Sequence, residues 1–335
     1  MRPTIAIILF LLIPACAPVQ KPMGAVKGPP TLIENALIAR DGATLPLQSW
    51  LPQGQPRAVI VALHGFNDYA NSVAMPAPFW VEQGIATYAY DQRGFGGAPN
   101  RGYWPGTRTL TTDLRDAVRA VALRHPRTPL FVLGVSMGGA VALATMADGP
   151  IAGVRGVVLI APAVWGRNHM NVFQRAALWF FSRTIPWYPL TGEGLNIQPS
   201  DNIEMLRALS RDPKIIRQTR IDAIKGLVDL MDSAFAAAPR LGQAPVFVAY
   251  GLRDEIVPRA PTAEFMRRMP QPAGTRRAFY KSGYHMLLRD TGAKTLWRDI
   301  AAWINTPLRP LPSGADKRAE ELLAAQALAR EESRE

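Results

Sequence analysis

Leu130-Phe131-Val132-Leu133-Gly134-Val135-Ser136-Met137-Gly138-Gly139 begins as a short apolar strand, and it leads into a helix-length apolar stretch from Gly138 to Met146. A serine stands at the corner. The spacing Gly134-Val135-Ser136-Met137-Gly138 is G-x-S-x-G in the strand-turn-helix context that gives the pattern its meaning. Glycines two positions either side let the chain turn sharply and pack closely, and the following helix N-terminus favours developing negative charge beside the serine hydroxyl. A turn of small residues that only packs strand on helix is the plainer reading; the flanking elements favour a presented nucleophile.

Working outward, short apolar runs recur at Ala58 to Leu63, Ile85 to Tyr90, Leu130 to Leu133, Val157 to Ile160 and Val246 to Tyr250. Runs apolar on both faces read as strands of a buried parallel sheet. Helix-length segments lie between them, clearest at Leu110 to Leu123 and Gly138 to Met146, so the text alternates as a doubly wound α/β sheet requires. The alternation fails from about Val164 to Leu241, where aromatic-rich, amphipathic text predicts an inserted helical cap. The expected organisation is a core over 31–163 and 242–310, a cap over 164–241 and a charged, solvated C-terminal tail over 311–335. Residues 17–30, rich in proline and glycine, suit a tether.

A serine hydroxyl needs a base to take its proton, and in this kind of sheet acid and base follow the serine in sequence. Of the four histidines, His64 and His125 precede Ser136 and His169 opens the insertion, which leaves His285 in Ser282-Gly283-Tyr284-His285 after a possible last strand, Ala278 to Tyr280. The other three are assigned to turns and surface. The residue orienting the base is Asp254, in Gly251-Leu252-Arg253-Asp254-Glu255 just beyond Val246 to Tyr250; Glu255, Asp290 and Asp232 read as surface charges. An oxyanion needs donors already in place. The backbone N–H groups of Met137, after the serine, and of Phe66, in His64-Gly65-Phe66 with Gly65 allowing the turn, fit that need.

Together these segments resemble the monoacylglycerol lipase and lysophospholipase group of α/β-hydrolases over roughly Thr31 to Thr306, and Asp91-Gln92-Arg93-Gly94-Phe95-Gly96 matches that group's D-x-R-G-x-G turn. The resemblance implies the α/β-hydrolase fold, carboxylic ester hydrolysis through an acyl-enzyme, no metal or other cofactor, and a cap that shapes the acyl site. Phe66 departs from the smaller residue common after His-Gly, which would narrow that site.

The N-terminus and the charge bear on location. Met1-Arg2 precedes an apolar run from Ile5 to Ile13, too short to span a bilayer as a helix but of signal-peptide length. The sole cysteine, Cys16, follows in Ile13-Pro14-Ala15-Cys16, which resembles a bacterial lipobox apart from Pro14. Cleavage after Ala17 at Ala15-Cys16-Ala17 is the alternative. The expectation is export in a bacterium, either as a membrane-anchored lipoprotein facing the periplasm or as a soluble periplasmic or secreted chain. The net charge of +12 is spread along the sequence without a basic stripe or reader motif, so anionic lipid is a better partner than nucleic acid.

The cap carries Phe173, Trp179, Phe180, Phe181, Ile185, Trp187 and Tyr188. They suit a lipid-facing lid, with Trp179 and Phe180 contacting substrate, or else the cap's own core. A peptidase or amidase, an acyltransferase and a non-catalytic envelope binding module remain as alternatives. Acidic cap residues that would hold a peptide amine are sparse: Glu193, Asp201 and Glu204.

Overall fold

The computed structural model describes residues 17–192 and 194–332, and the proposed signal segment and Cys16 lie outside them. Eleven strands follow in chain order: β1 (Thr31–Ile33), β2 (Ala36–Ile38), β3 (Thr44–Trp50), β4 (Ala58–Leu63), β5 (Ile85–Tyr90), β6 (Leu130–Val135), β7 (Val154–Ile160), β8 (Pro189–Leu190), β9 (Thr219–Arg220), β10 (Val246–Gly251) and β11 (Arg276–Tyr280). All but β8 and β9 form one sheet in the order β1-β2-β3-β5-β4-β6-β7-β10-β11. From β5 to β11 every neighbouring pair is parallel, and β1, β2 and β3 extend the sheet by antiparallel pairing. Strands β4 and β5 are buried at every position, which is why they read as continuous apolar runs rather than alternating ones.

The helices are α1 (Pro76–Glu82), α2 (Thr107–Arg124), α3 (Met137–Ala147), α4 (Val172–Thr184), α5 (Ile203–Arg211), α6 (Ile221–Ala237), α7 (Arg259–Arg268), α8 (Lys294–Asn305) and α9 (Ala315–Glu332). Side chains of α2, α3, α6 and α7 share one hydrophobic core with one face of the sheet, and Trp80 of α1 joins Trp297, Ile300 and Trp303 of α8 on the other. This is an α/β-hydrolase fold.

Three boundaries differ from the sequence expectation. First, α6 belongs to the core and not to the cap: Val228, Leu230 and Phe235 are buried with α3, and a Cβ on Gly226 would sit 2.3 Å from the Trp104 ring. An amphipathic helix reads alike whether its apolar face meets a cap or a sheet, so only the tertiary partner separates the cases. Second, α9 is docked and not a free tail, with Ala315, Ala319 and Leu323 buried and Arg318 donating to the Phe279 carbonyl. Third, residues 17–30 are no tether. Lys21 N–H donates to Trp104 O, Gly24 N–H to Asp41, and Lys27 N–H to Arg40 O, so the segment is strapped along the domain. Proline-rich text signals extended chain, and extended chain is equally able to lie in a groove.

Candidate active site

The sheet delivers three loops to its carboxyl edge. Ser136 leaves β6 with φ 50° and ψ −111°, a strained conformation for a non-glycine residue. Its backbone is pinned on both sides: Ser136 N–H donates to Ile160 O at 2.9 Å, while Ser136 O accepts from Ala140 N–H at 3.1 Å and Ala163 N–H at 3.0 Å. Two glycines make room for the corner. A Cβ on Gly134 would come within 2.5 Å of the Gly138 backbone, and one on Gly138 within 2.5 Å of the Leu63 carbonyl. The spacing in the sequence is therefore a packing requirement as well as a motif.

Asp254 follows β10 and His285 follows β11, and the structure brings them together: His285 Nδ1 lies 2.8 Å from Asp254 Oδ2. The other oxygen, Oδ1, accepts Ile256 N–H at 2.8 Å and Val257 N–H at 2.9 Å, so the carboxylate is held within its own turn. A carboxylate can only accept there, which puts the proton on Nδ1 and leaves Nε2 with a free lone pair. Glu255 is exposed and points away, accepting Gln198 N–H at 2.8 Å.

The loop after β4 lies beside the elbow, with the Gly65 Cβ direction 3.5 Å from Ser136 Cβ. Phe66 is half-buried, its ring edge-on to Phe95 at 5.5 Å between centroids. The left-handed residue of this loop is Asn67 at φ 63°. Met137 is the first residue of α3, where a backbone N–H has no partner within the helix.

His64 is buried rather than at the surface. Gln92 N–H donates to its Nε2 at 2.9 Å, so its proton sits on Nδ1, which donates to Gly65 O at 2.8 Å. Burial pushes its pKa down, consistent with a neutral ring. The Asp91–Gly96 turn buttresses it: Asp91 accepts Ala70 N–H and Gly97 N–H, both at 2.8 Å. Behind the turn, Arg93 lies between Asp41 and Asp113. Burial raises Asp113 to about 6, despite the opposing pull of Arg93.

The sequence family described as Serine aminopeptidase, S33, matches residues 54–292, most of the chain and all of these loops. The chain belongs to that family. It is 26% identical over 285 residues to a monoacylglycerol lipase of Mycolicibacterium smegmatis, covering 82% of this chain and 97% of the relative. Human monoglyceride lipase is 25% identical over 287 residues, covering 80% of this chain and 89% of that one. A soluble variant of the Saccharomyces cerevisiae monoglyceride lipase, solved with a substrate analog, shares the fold at TM-score 0.69 and 19% identity, over 87% of this chain and 98% of that one. This member of the family stands with the monoglyceride lipase group and is a serine ester hydrolase.

Within this hydrolase, Asp290 is not the surface charge that the sequence suggested. It is buried, accepts Tyr284 N–H at 2.8 Å and Ser200 Oγ–H at 2.6 Å, and burial raises its pKa. It thereby braces the residue before His285. Arg289, buried on the same loop, reaches the loop after β4 by donating to Asp68 at 2.8 Å and Ser72 O at 3.2 Å. Asp232 is an anchor of the cap, paired with Arg167.

The cap aromatics lie outside the core. Phe173, Trp179 and Phe180 are 81%, 59% and 51% exposed, and Ser182 is the one fully buried residue of α4. Trp179 lines an open groove of about 560 Å³ beside Arg175, Leu178 and Arg183, a position separate from the elbow loops. Among the described residues no cluster of His, Cys, Asp or Glu is arranged to hold a metal.

Proposed function

We propose that this chain hydrolyses carboxylic esters of lipid-like substrates, of monoacylglycerol or lysophospholipid type, through an acyl-enzyme on Ser136. The observation that carries the reading is the Asp254–His285 pair at 2.8 Å, at the sheet edge that bears the strained serine. His285 Nε2 takes the Ser136 proton as Oγ attacks the ester carbonyl, and Asp254 holds the ring in the required tautomer and stabilises the imidazolium. The tetrahedral oxyanion is met by the N–H groups of Met137 and Phe66. As it collapses, His285 gives the proton to the departing alkoxide. Water, deprotonated in turn by His285, then releases the acid and restores Ser136.

The lipid-like substrate is supported by the exposed aromatic face of α4 with Arg175 and Arg183 on the same helix, a surface suited to an anionic phospholipid interface. An exported chain anchored through Cys16 would meet such substrates in the membrane. Peptide hydrolysis is the second reading, because the family's name carries it. It would need an acid for the substrate amine, and Asp201 is already engaged by Thr291 through both carboxylate oxygens. Glu193 lies outside the described residues.

A panel of monoacylglycerols, lysophospholipids, p-nitrophenyl esters and aminoacyl amides, assayed with wild type and Ser136→Ala, tests the proposal. Ester turnover lost in Ser136→Ala supports it. Cleavage of the amides alone would replace it with the peptidase reading.

A further inference from the structure

The Phe66 N–H sits in a turn that is held from a distance. Asp68 N–H donates to Gly65 O at 3.3 Å, closing the four residues 65–68, and Asn67, third in the turn, takes φ 63° while Phe66 does not go positive. That combination is a type II turn, whose third residue is usually glycine or asparagine. The Gly65 carbonyl and the Phe66 N–H belong to one trans peptide and point in opposite directions. The carbonyl accepts Asp68 N–H and, at 2.8 Å, His64 Nδ1–H, so the Phe66 N–H is aimed to the other side of the peptide. The aim of this donor therefore depends on the turn keeping its shape.

Asn67 is where the chain leading into α6 grips the turn. Its carbonyl accepts Ile216 N–H at 3.0 Å, and its side-chain Nδ2–H donates to Thr219 Oγ1 at 2.7 Å. Thr219 is buried in β9, which pairs with β8 and runs directly into α6, a helix of the core. The partner is thus a fixed point, 152 residues away in sequence. A non-glycine residue at positive φ persists only where its surroundings hold it, and these two bonds do so. We infer that Asn67 is a positioning residue for ester hydrolysis: through Thr219 it fixes the 65–68 turn, and with it the Phe66 N–H, where the tetrahedral oxyanion forms. This inference rests on the acyl-enzyme reading above. Donors set beforehand act on charge that develops only as the ester carbonyl is attacked, so a loosened turn lowers kcat and leaves KM nearly unchanged. The loop has further ties that keep it in place when this one is cut, Tyr69 OH to Asp212 at 2.7 Å and Arg289 to Asp68 at 2.8 Å.

The test uses the full chain. Thr219→Val removes the hydroxyl, Thr219→Ser keeps it, and Asn67→Gly keeps the positive φ while removing the amide. Thr219→Val and Asn67→Gly should each lower kcat on p-nitrophenyl acetate about tenfold with KM within about twofold, against roughly 10²–10³ for outright loss of an oxyanion donor. Each should weaken by a similar factor an alkyl trifluoromethyl ketone, in which Ser136 Oγ adds to the carbonyl carbon, its proton passes to His285, and the former carbonyl oxygen carries the charge. The double variant should be no slower than the slower single, because both changes cut one bond. Thr219→Ser should keep wild-type values, and so should Tyr69→Phe, which cuts a tie outside the turn. Wild-type kcat and ketone affinity in Thr219→Val, additive losses in the double variant, or an equal loss in Thr219→Ser or Tyr69→Phe overturns the positioning role. In each of those cases, wild-type protein that turns over the ester and carries the ketone on Ser136 leaves the hydrolase reading standing; wild-type protein that does neither overturns both.

Discussion

Ser200 donates its hydroxyl to Asp290 at 2.6 Å, tying the segment that leads into α5 to the loop that carries His285. Neighbouring bonds run in parallel: Met286 N–H donates to Pro199 O at 2.9 Å, and Asn202 Nδ2–H to Arg289 O at 2.9 Å. The base loop is therefore seated against the cap's return segment. Asp290→Ala should strand the Tyr284 N–H and the Ser200 hydroxyl together, costing about 1–3 kcal/mol of stability. It should also lower kcat on p-nitrophenyl acetate, a substrate too short to need the cap. Thermal unfolding and kcat measured on one preparation check both; an unchanged kcat would show that the brace does not reach His285.

Asp254→Asn should keep the loop and lose the chemistry. The amide oxygen can still accept the Ile256 and Val257 N–H groups, while the imidazole loses its preferred tautomer, at a cost of about 10⁴ in kcat. Glu255→Gln should leave kcat near wild type, since Glu255 bonds only outward to Gln198. A pair of kcat values with unfolding curves separates the two residues, and the reverse ranking would reassign the acid.

The Arg93 cluster gives a pH signature. Burial raises Asp113 from 3.8 to about 6, so its ionisation opposes folding: the stability it contributes is full below pH 4 and lost as pH rises through 6. Asp113→Asn removes that titration while Asp41 still pairs with Arg93. The variant's stability relative to wild type should therefore improve between pH 4 and pH 7, by up to about 3 kcal/mol. Chemical denaturation at the two pH values measures it; a difference that is flat or of opposite slope would show that Asp113 does not carry the raised pKa.

Because Trp179 and Phe180 are exposed, Trp179→Ala and Phe180→Ala should change folding stability by no more than about 0.5 kcal/mol, unlike deletions in a core. Activity on long-chain monoacylglycerol in anionic vesicles should fall, while acetate hydrolysis in solution should not. Equal losses on both substrates would remove the interfacial role.

What the sequence made legible is what neighbouring residues decide. The elbow and the strands β4 to β7 need only an apolar run and its flanking turn, and Asp254 and His285 follow from chain order once Ser136 is assigned. The hidden parts depend on distant partners. Nothing near Asp290 reveals that Ser200, ninety residues earlier, buries it. Nothing local to Gly226 shows that Trp104 lies against it, and proline-rich text alone does not separate a strap from a tether. Strands β1 and β2 are only three residues long and β3 alternates in burial, so none shows the long continuous apolar run that marks a buried parallel strand; they form the antiparallel edge.

The most direct test of the account is the site of covalent labelling by a fluorophosphonate, read by peptide mass spectrometry on the folded chain. A single adduct on Ser136 is expected, absent in Ser136→Ala and formed orders of magnitude more slowly in His285→Ala, because nucleophile and base act as one unit. An adduct on any other residue, or none on folded wild-type protein, would contradict the assignment of Ser136 as the nucleophile.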